Sequence, residues 1–349
     1  MKFTSRLLLV SAAALLTFGA VSPSISAGAA SVKTASRSYQ NTKIKASYQY
    51  AKKMMTKNKT GLSGKTAYIF SKKAYPTTGA AGGYADFLLS LKNWGYHFTT
   101  NQKKRVASNL VINSKSTPAD LANAIQGLKA IGMNPTKFRP TGSKKAVNLV
   151  TTLYRQSMTK QTVNVKSQAL IALTMSSSFK RPSAAKFTIN SLSNSIVKNQ
   201  QKNNGWAYNN QAASVDSDTT AMATTALIRG NATTSAVKSA ISKGQSYLRN
   251  AVNPSGAYGY TFNGKTIQNA NSTAEGIIAL SAQAGSLQYV NGTSKSSQTA
   301  SPLYAMLTYV NKTGSIKGAT SQLIGIGQVS LATAAYRQAL SNKSVYALK

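Results

Sequence analysis

Apolar positions along this chain recur at spacings of three and four, the helical period, and short polar stretches interrupt them. No stretch alternates with period two for long enough to predict a sheet. Six apolar segments align without gaps, at 83–91, 120–128, 165–173, 219–227, 272–280 and 325–333. Their last residues stand 37, 45, 54, 53 and 53 positions apart. Repeats of this length signal stacked or closed arrays of helices.

Each column of the alignment has its own chemistry. One place before the end stand Ser90, Gly127, Ala172, Ala226, Ala279 and Ala332. Six places before it stand Ala85, Ala122, Ser167, Ala221, Ala274 and Gly327. All twelve are small, which lets helices approach closely. Five places before the end stand Asp86, Asn123, Gln168, Met222, Glu275 and Gln328. All but Met222 are polar, inside otherwise apolar segments. That column and the one four places on share a helix face. Leu88, Ile125, Leu170 and Ile277, with the terminal leucines, form the neighbouring packing face.

Between these segments lie six more polar amphipathic stretches, near 42–57, 101–113, 143–158, 183–200, 235–250 and 297–311. Several are rich in Lys. The pattern predicts an all-α fold with six inner helices and six charged outer ones. Six antiparallel pairs would close into an (α/α)6 toroid. An open helical solenoid stacks pairs in the same way and is the alternative.

Residues 1–29 have the form of a secretory signal: Lys2 and Arg6, an apolar run from Leu7 to Leu16, and Ala27-Gly28-Ala29 as a small-residue cleavage site. Residues 30–41, rich in Ser, Ala and Lys, are expected as a flexible lead-in. The toroid domain then spans 42–349, with no later segment apolar enough to cross a membrane.

The charge changes the picture. Lys and Arg number 42 against five acids, a net charge of +37. Such an excess repels itself and suits an anionic partner. Lys predominates, and as a mobile point charge it implies loose attraction more than fixed readout. With export, the expected partners are anionic cell-wall polymers of the teichoic acid type, not a specific nucleic acid. The expected location is secreted, extracellular or wall-associated. There is no Cys, so disulfides and thiolate metal sites are excluded. No cofactor or metal site is indicated.

All five acids, Asp86, Asp120, Asp216, Asp218 and Glu275, fall in or just before the first turns of inner segments. Helix capping and the helix dipole account for Asp120, and in part for Asp216 and Asp218. Alternatively, the inner N-termini converge and make a negative, polar mouth inside a positive shell, as a ligand site would require.

The stretch Ser214-Val215-Asp216-Ser217-Asp218-Thr219-Thr220-Ala221-Met222-Ala223 resembles the terpenoid cyclase and protein prenyltransferase α/α-toroid superfamily. So do Gln200–Trp206, Asn271–Leu280 and Leu128–Thr136, in order over roughly 80–342. The likeness extends to a secreted Gram-positive branch with prenyltransferase and squalene-oxidase-type repeats, related in shape to the cobalamin carriers. Later repeats depart from the Gly-Gly-aromatic loop, with Gly256-Ala257-Tyr258 and Gly314-Ser315-Ile316.

The resemblance raises two activities, and the expected (α/α)6 shape a third. A class II terpene cyclase would use Asp218 as acid and Asp216 as its partner, with Thr219 in place of a third acid. Few aromatics beyond Tyr84 and Phe87 stand on the inner segments to stabilise a cation. Protein prenyl transfer needs zinc on Asp, Cys and His, which a chain with no Cys and only His97 cannot supply. His97 itself reads as a loop or packing residue. An (α/α)6 glycoside hydrolase would need two of Asp86, Asp216, Asp218 and Glu275, with Trp206, Tyr208, Tyr258 and Tyr260 stacking on sugar.

The incomplete catalytic set leads to the expectation of a non-catalytic surface protein, held to the wall by charge and binding a small molecule or glycan in its central cavity. Its expected ligand residues are Asp86, Asn123, Gln168, Asp216, Asp218, Glu275, Gln328, Trp206 and Tyr258. Cyclase and hydrolase are the alternatives. The aromatics can equally be plugs at helix ends.

Overall fold

A computed structural model describes residues 31–57, 62–63, 66–67, 84–140, 142–231, 233–262 and 265–348. The putting together of helices begins at α1 (Arg37–Lys57) and α2 (Ala85–Asn93), followed by α3 (Thr100–Asn109) and α4 (Pro118–Ala130). Next come α5 (Leu149–Tyr154), α6 (Val163–Leu173), α7 (Ile189–Val197) and α8 (Ser217–Gly230). The last are α9 (Ser235–Ala251), α10 (Ala270–Ser281), α11 (Pro302–Thr308) and α12 (Gln322–Ala339). Each predicted segment holds a helix. The outer α5 and α11 are much shorter than their polar stretches, at six and seven residues. Among the described residues the strands form three small antiparallel pairs: β1 (Leu62–Ser63) with β2 (Thr66–Ala67), β3 (Trp206–Ala207) with β4 (Val215–Asp216), and β5 (Gly259–Phe262) with β6 (Lys265–Gln268).

The even-numbered helices form the inner ring. Each packs on the next, and α12 packs on α2, so the ring closes and the open solenoid is ruled out. The seam depends on the small-residue columns. At Gly327 a Cβ would stand 2.7 Å from the Phe87 backbone nitrogen, closer than any real Cβ tolerates. Only a bare Cα brings α12 this near to α2.

The sequence sets the helix ends locally. Thr99 with Gln102, Thr117 with Asp120, and Thr188 with Ser191 form reciprocal capping boxes. Asn148, Thr162, Asp216, Thr234, Asn269 and Ser301 cap with one side-chain acceptor each. Three inner helices end on a left-handed residue, Gly95, Gly132 or Asn342, whose successor's N–H returns to the helix.

The loops before α8, α10 and α12 share one turn although their residues differ. Asn204, Gly256 and Gly314 hold φ of 72°, 85° and 93°. In each case a backbone N–H reaches across it: Gln201 to Gly205, Asn253 to Ala257, and Asn311 to Ser315. The departures from the loop motif are therefore changes of residue within a kept geometry. At Gly314 a Cβ would run into the Ala46 carbonyl, so this turn also seats α1.

The expected flexible lead-in is corrected by the structure. Lys33 N–H donates to the Thr299 carbonyl, and Ser301 N–H donates to the Lys33 carbonyl. Ala35 is buried, its N–H held 2.8 Å from Asn291 Oδ1. Arg37 already opens α1. The expected signal at 1–29 lies outside the described residues. No described helix is long and apolar enough to cross a membrane.

Candidate functional site

The polar column lines a hollow. Asp86, Asn123, Gln168, Met222, Glu275 and Gln328 each keep part of their surface accessible, while the residues on either side of each are buried. One turn earlier Asn164, Asp218 and Asn271 are accessible in the same way. Beyond the column, towards the helix C-termini, the next several residues of every inner helix are buried. The hollow thus enters at the N-terminal ends of the inner helices and stops about two turns in.

Four of the five acids are on its wall. Gln328 Nε2 donates to Glu275 Oε1 at 3.1 Å and also favours the charged form of Asp86, so one amide from α12 stands between acids on α10 and α2. Its Oε1 has no partner and is free to accept a proton from a neutral carboxyl. Asp218 faces Ser272 of α10, which favours its charged form. Asp216 caps α8, accepting the Thr219 N–H at 2.7 Å.

These groups are enclosed by protein yet not sealed from water, which is the condition of a side chain in a concavity. Burial dominates their titration. It pushes Asp86 up to about 6 against the pull of the Gln328 bond. Burial and then the Asp216 charge push Asp218 up to about 6, opposed by Ser272. Glu275 is driven well above the usual carboxylate range by burial and by the charges of Asp218 and Asp86. Asp216 is raised by burial, with hydrogen bonds from Thr219 and Asp218 opposing. Among the described residues no cation offsets the charge of Asp218 or Glu275. Burial first, and for Asp218 and Glu275 the neighbouring carboxylates, keep these carboxyls protonated to higher pH than a free acid, with Asp86 and Asp218 releasing their protons around pH 6. No group among the described residues is set to hold a metal ion.

Two of the sequence expectations need revision. Trp206 is fully buried, with Nε1 donating to the Ile196 carbonyl at 2.8 Å and its ring against Gly244. Tyr258 is 1% exposed and lies over Gly276. Neither reaches the hollow as a ligand contact. Each is a plug: Trp206 N–H donates to Thr220 Oγ1, and Tyr258 N–H to Thr273 Oγ1, the same bond in successive repeats. Asp120 closes the α4 capping box and does not join the acids of the hollow. His97 is an exposed loop residue, as expected.

No protein-family model and no curated protein matches the chain. Solved structures do match. The type II terpene cyclase MstE from Scytonema, without ligand, superposes with a TM-score of 0.50 at 11% identity, over 87% of this chain and 99% of that one. A variant of it in complex with geranylgeranyl dihydroxybenzoate gives 0.50 at 13%, over 85% and 98%. Another, with merosterolic acid A, gives 0.50 at 12%, over 87% and 98%. The fold is the terpenoid-cyclase α/α toroid. At this identity the likeness speaks for the fold. The expectation of a non-catalytic binding protein is corrected: the toroid's solved counterparts are enzymes captured with substrate and product, and its hollow holds proton-bearing acids.

Several residues of the toroid's site escaped the sequence reading. Asn164, whose Oδ1 is unpartnered, and Asn271 stand one turn before the polar column. Extending the alignment by one residue at its start would have found them. Tyr346 had no such signal. It lies 6% exposed in the segment after α12, close enough to Asp86 and Glu275 for their charges to raise its pKa. Sequence distance of some 260 residues conceals that approach to Asp86.

Proposed function

We propose that this protein is a class II terpene cyclase-like enzyme, which begins cyclisation by protonating an alkene or epoxide of a polyprenyl substrate. The observation that carries it is a cluster of enclosed, proton-retaining carboxyls on the inner wall of a toroid built like those of type II cyclases. Asp218 is the acid. Burial and the Asp216 charge raise its pKa to about 6, so it keeps its proton in mildly acidic solution. As the proton leaves, Ser272 favours the carboxylate that forms.

The step balances without a cofactor. The alkene π pair forms the new C–H bond, the O–H pair stays on Asp218, and the cation formed is captured by the next alkene. The last cation loses a proton to a base, and a carboxylate of the cluster regains it. Water must be kept from the cation, and a hollow only two turns deep serves a substrate that fills it.

Incubation with a panel of polyprenyl phenols, diphosphates and epoxides tests the proposal. Cyclic product is expected, and Asp218→Asn should cut turnover by on the order of a hundredfold or more. The rate should fall as pH rises through about 6, because the acid must be protonated. A product yield unchanged in Asp218→Asn, or no cyclic product from any class, refutes it.

Export and attraction to anionic wall polymers belong to the same proposal. The lysine-rich outer stretches and the form of residues 1–29 support them. Retention on purified wall polymer should be released by salt, since exposed charges are screened over about 8 Å at physiological ionic strength.

A further inference from the structure

The hollow needs a floor, and the small-residue column of the inner ring is poorly made to supply one. One turn beyond the polar column, towards the helix C-termini, stand Ser90, Gly127, Ala172, Ala226, Ala279 and Ala332. All six are buried, and none has a side chain that reaches far from its own helix.

The segment after α12 brings a large side chain to this end of the ring. Asn93, which closes α2, donates Nδ2 to the Val345 carbonyl at 3.1 Å. Val345 and Tyr346 also line a small space with Thr225 and Arg229 of α8, Ile278 of α10 and Ala335 of α12. Helices α2 and α8 stand opposite each other in the ring, so the segment crosses its C-terminal end. Arg229 Nη2 in turn donates to the Thr174 carbonyl at the end of α6.

The register places Tyr346 under the hollow. Thr225 and Ile278 follow Met222 and Glu275 of the polar column by three residues, one turn further along the helix. Asn93, Arg229 and Ala335 follow Asp86, Met222 and Gln328 by seven, which is two turns. Tyr346 thus packs between one and two turns below the acids, just past the level where the hollow stops. It is 6% exposed. The charges of Asp86 and Glu275 act on its hydroxyl, as does that of Arg229.

We infer, taking the hollow as the ligand site proposed above, that Tyr346 is its floor and sets how long a chain it accepts. The residue is a specificity determinant and takes no part in proton transfer. Below the acids the surroundings are mostly carbon, from Ile278, Ala226, Ala279 and Ala332, so the chain that would enter there is linear and apolar.

Calorimetric titration of the full chain with linear 1-alkanols of increasing length is the test. Wild-type affinity should rise with length to a break and then stay level. Tyr346→Ala should move the break by about four carbons, the depth of one helical turn, and each of these methylenes should strengthen binding about fourfold. Tyr346→Leu should move it part of the way, which keeps the test open should the alanine variant fail to fold. Tyr346→Phe, which keeps the ring, should leave the break in place. So should Leu348→Ala, which loosens the same segment at a partly buried position against the core. A break unmoved in both Tyr346→Leu and Tyr346→Ala, or moved equally in Leu348→Ala, overturns the floor. A shifted break without cyclic product from any substrate upholds the floor and refutes the cyclase. No alkanol binding at any length refutes the hollow as a chain site, and the floor with it.

Discussion

Replacing Asp218 by Asn should stabilise the protein at neutral pH and leave it unchanged in acid. The ordinary aspartate pKa is near 3.8, and in the fold burial and Asp216 push Asp218 up to about 6. Between those values the native state binds more protons than the unfolded chain, so stability falls as pH rises through the window and is level above it. A displacement of that size corresponds to about 3 kcal/mol against the ionised form. Asp218 keeps some contact with water in the hollow, which screens part of this, and about 1–2 kcal/mol is the working figure. Asn cannot ionise and avoids the cost. It also relieves the repulsion that Asp218 exerts on Glu275. Denaturant titrations of both proteins at pH 3.5, 5 and 7 measure the difference. It should be near zero at pH 3.5 and grow to its full value by pH 7. The self-repulsion of 42 basic side chains is common to both proteins and cancels. A variant less stable at pH 7, or a difference independent of pH, would show that Asp218 is not an enclosed, crowded acid.

The other predictions concern the frame. Trp206→Ala should cost about 3–5 kcal/mol, since it empties a fully buried site under Gly244 and abandons the bond to Ile196, and urea titration reads the loss directly. Gly327→Val should cost about 1–3 kcal/mol by forcing α12 off the Phe87 backbone, with hydrogen exchange rising first in α2 and α12. Exchange rising equally everywhere would mean that the seam is not where the ring yields. Thr220→Val and Thr273→Val should each cost about 1–3 kcal/mol, because each strands a buried backbone N–H, of Trp206 and Tyr258 respectively. If only one of them does, the two loops are not the equivalents their geometry makes them.

The sequence by itself determined the helices, their alternation and the inner face. Period, caps and small-residue columns are local properties of the chain, and each pointed to the same answer. It also marked the polar column, because Asp86, Glu275 and Gln328 are costly to place in apolar helices without a shared polar environment. Only the tertiary structure decided whether the ring closes, since a solenoid and a toroid share every local contact and differ in the packing of α12 on α2. It also separated the acids. Asp120 and Asp216 have similar sequence settings, but one caps α4 at the rim while the other stands beside Asp218. Trp206 and Tyr258 looked available in polar loops and proved buried, because a loop's exposure depends on the helices that close over it. The acidity of Asp218 and Glu275 follows from the same cause. Desolvation and charge crowding are properties of what surrounds a group in space, and that surrounding is assembled from helices up to 240 residues apart.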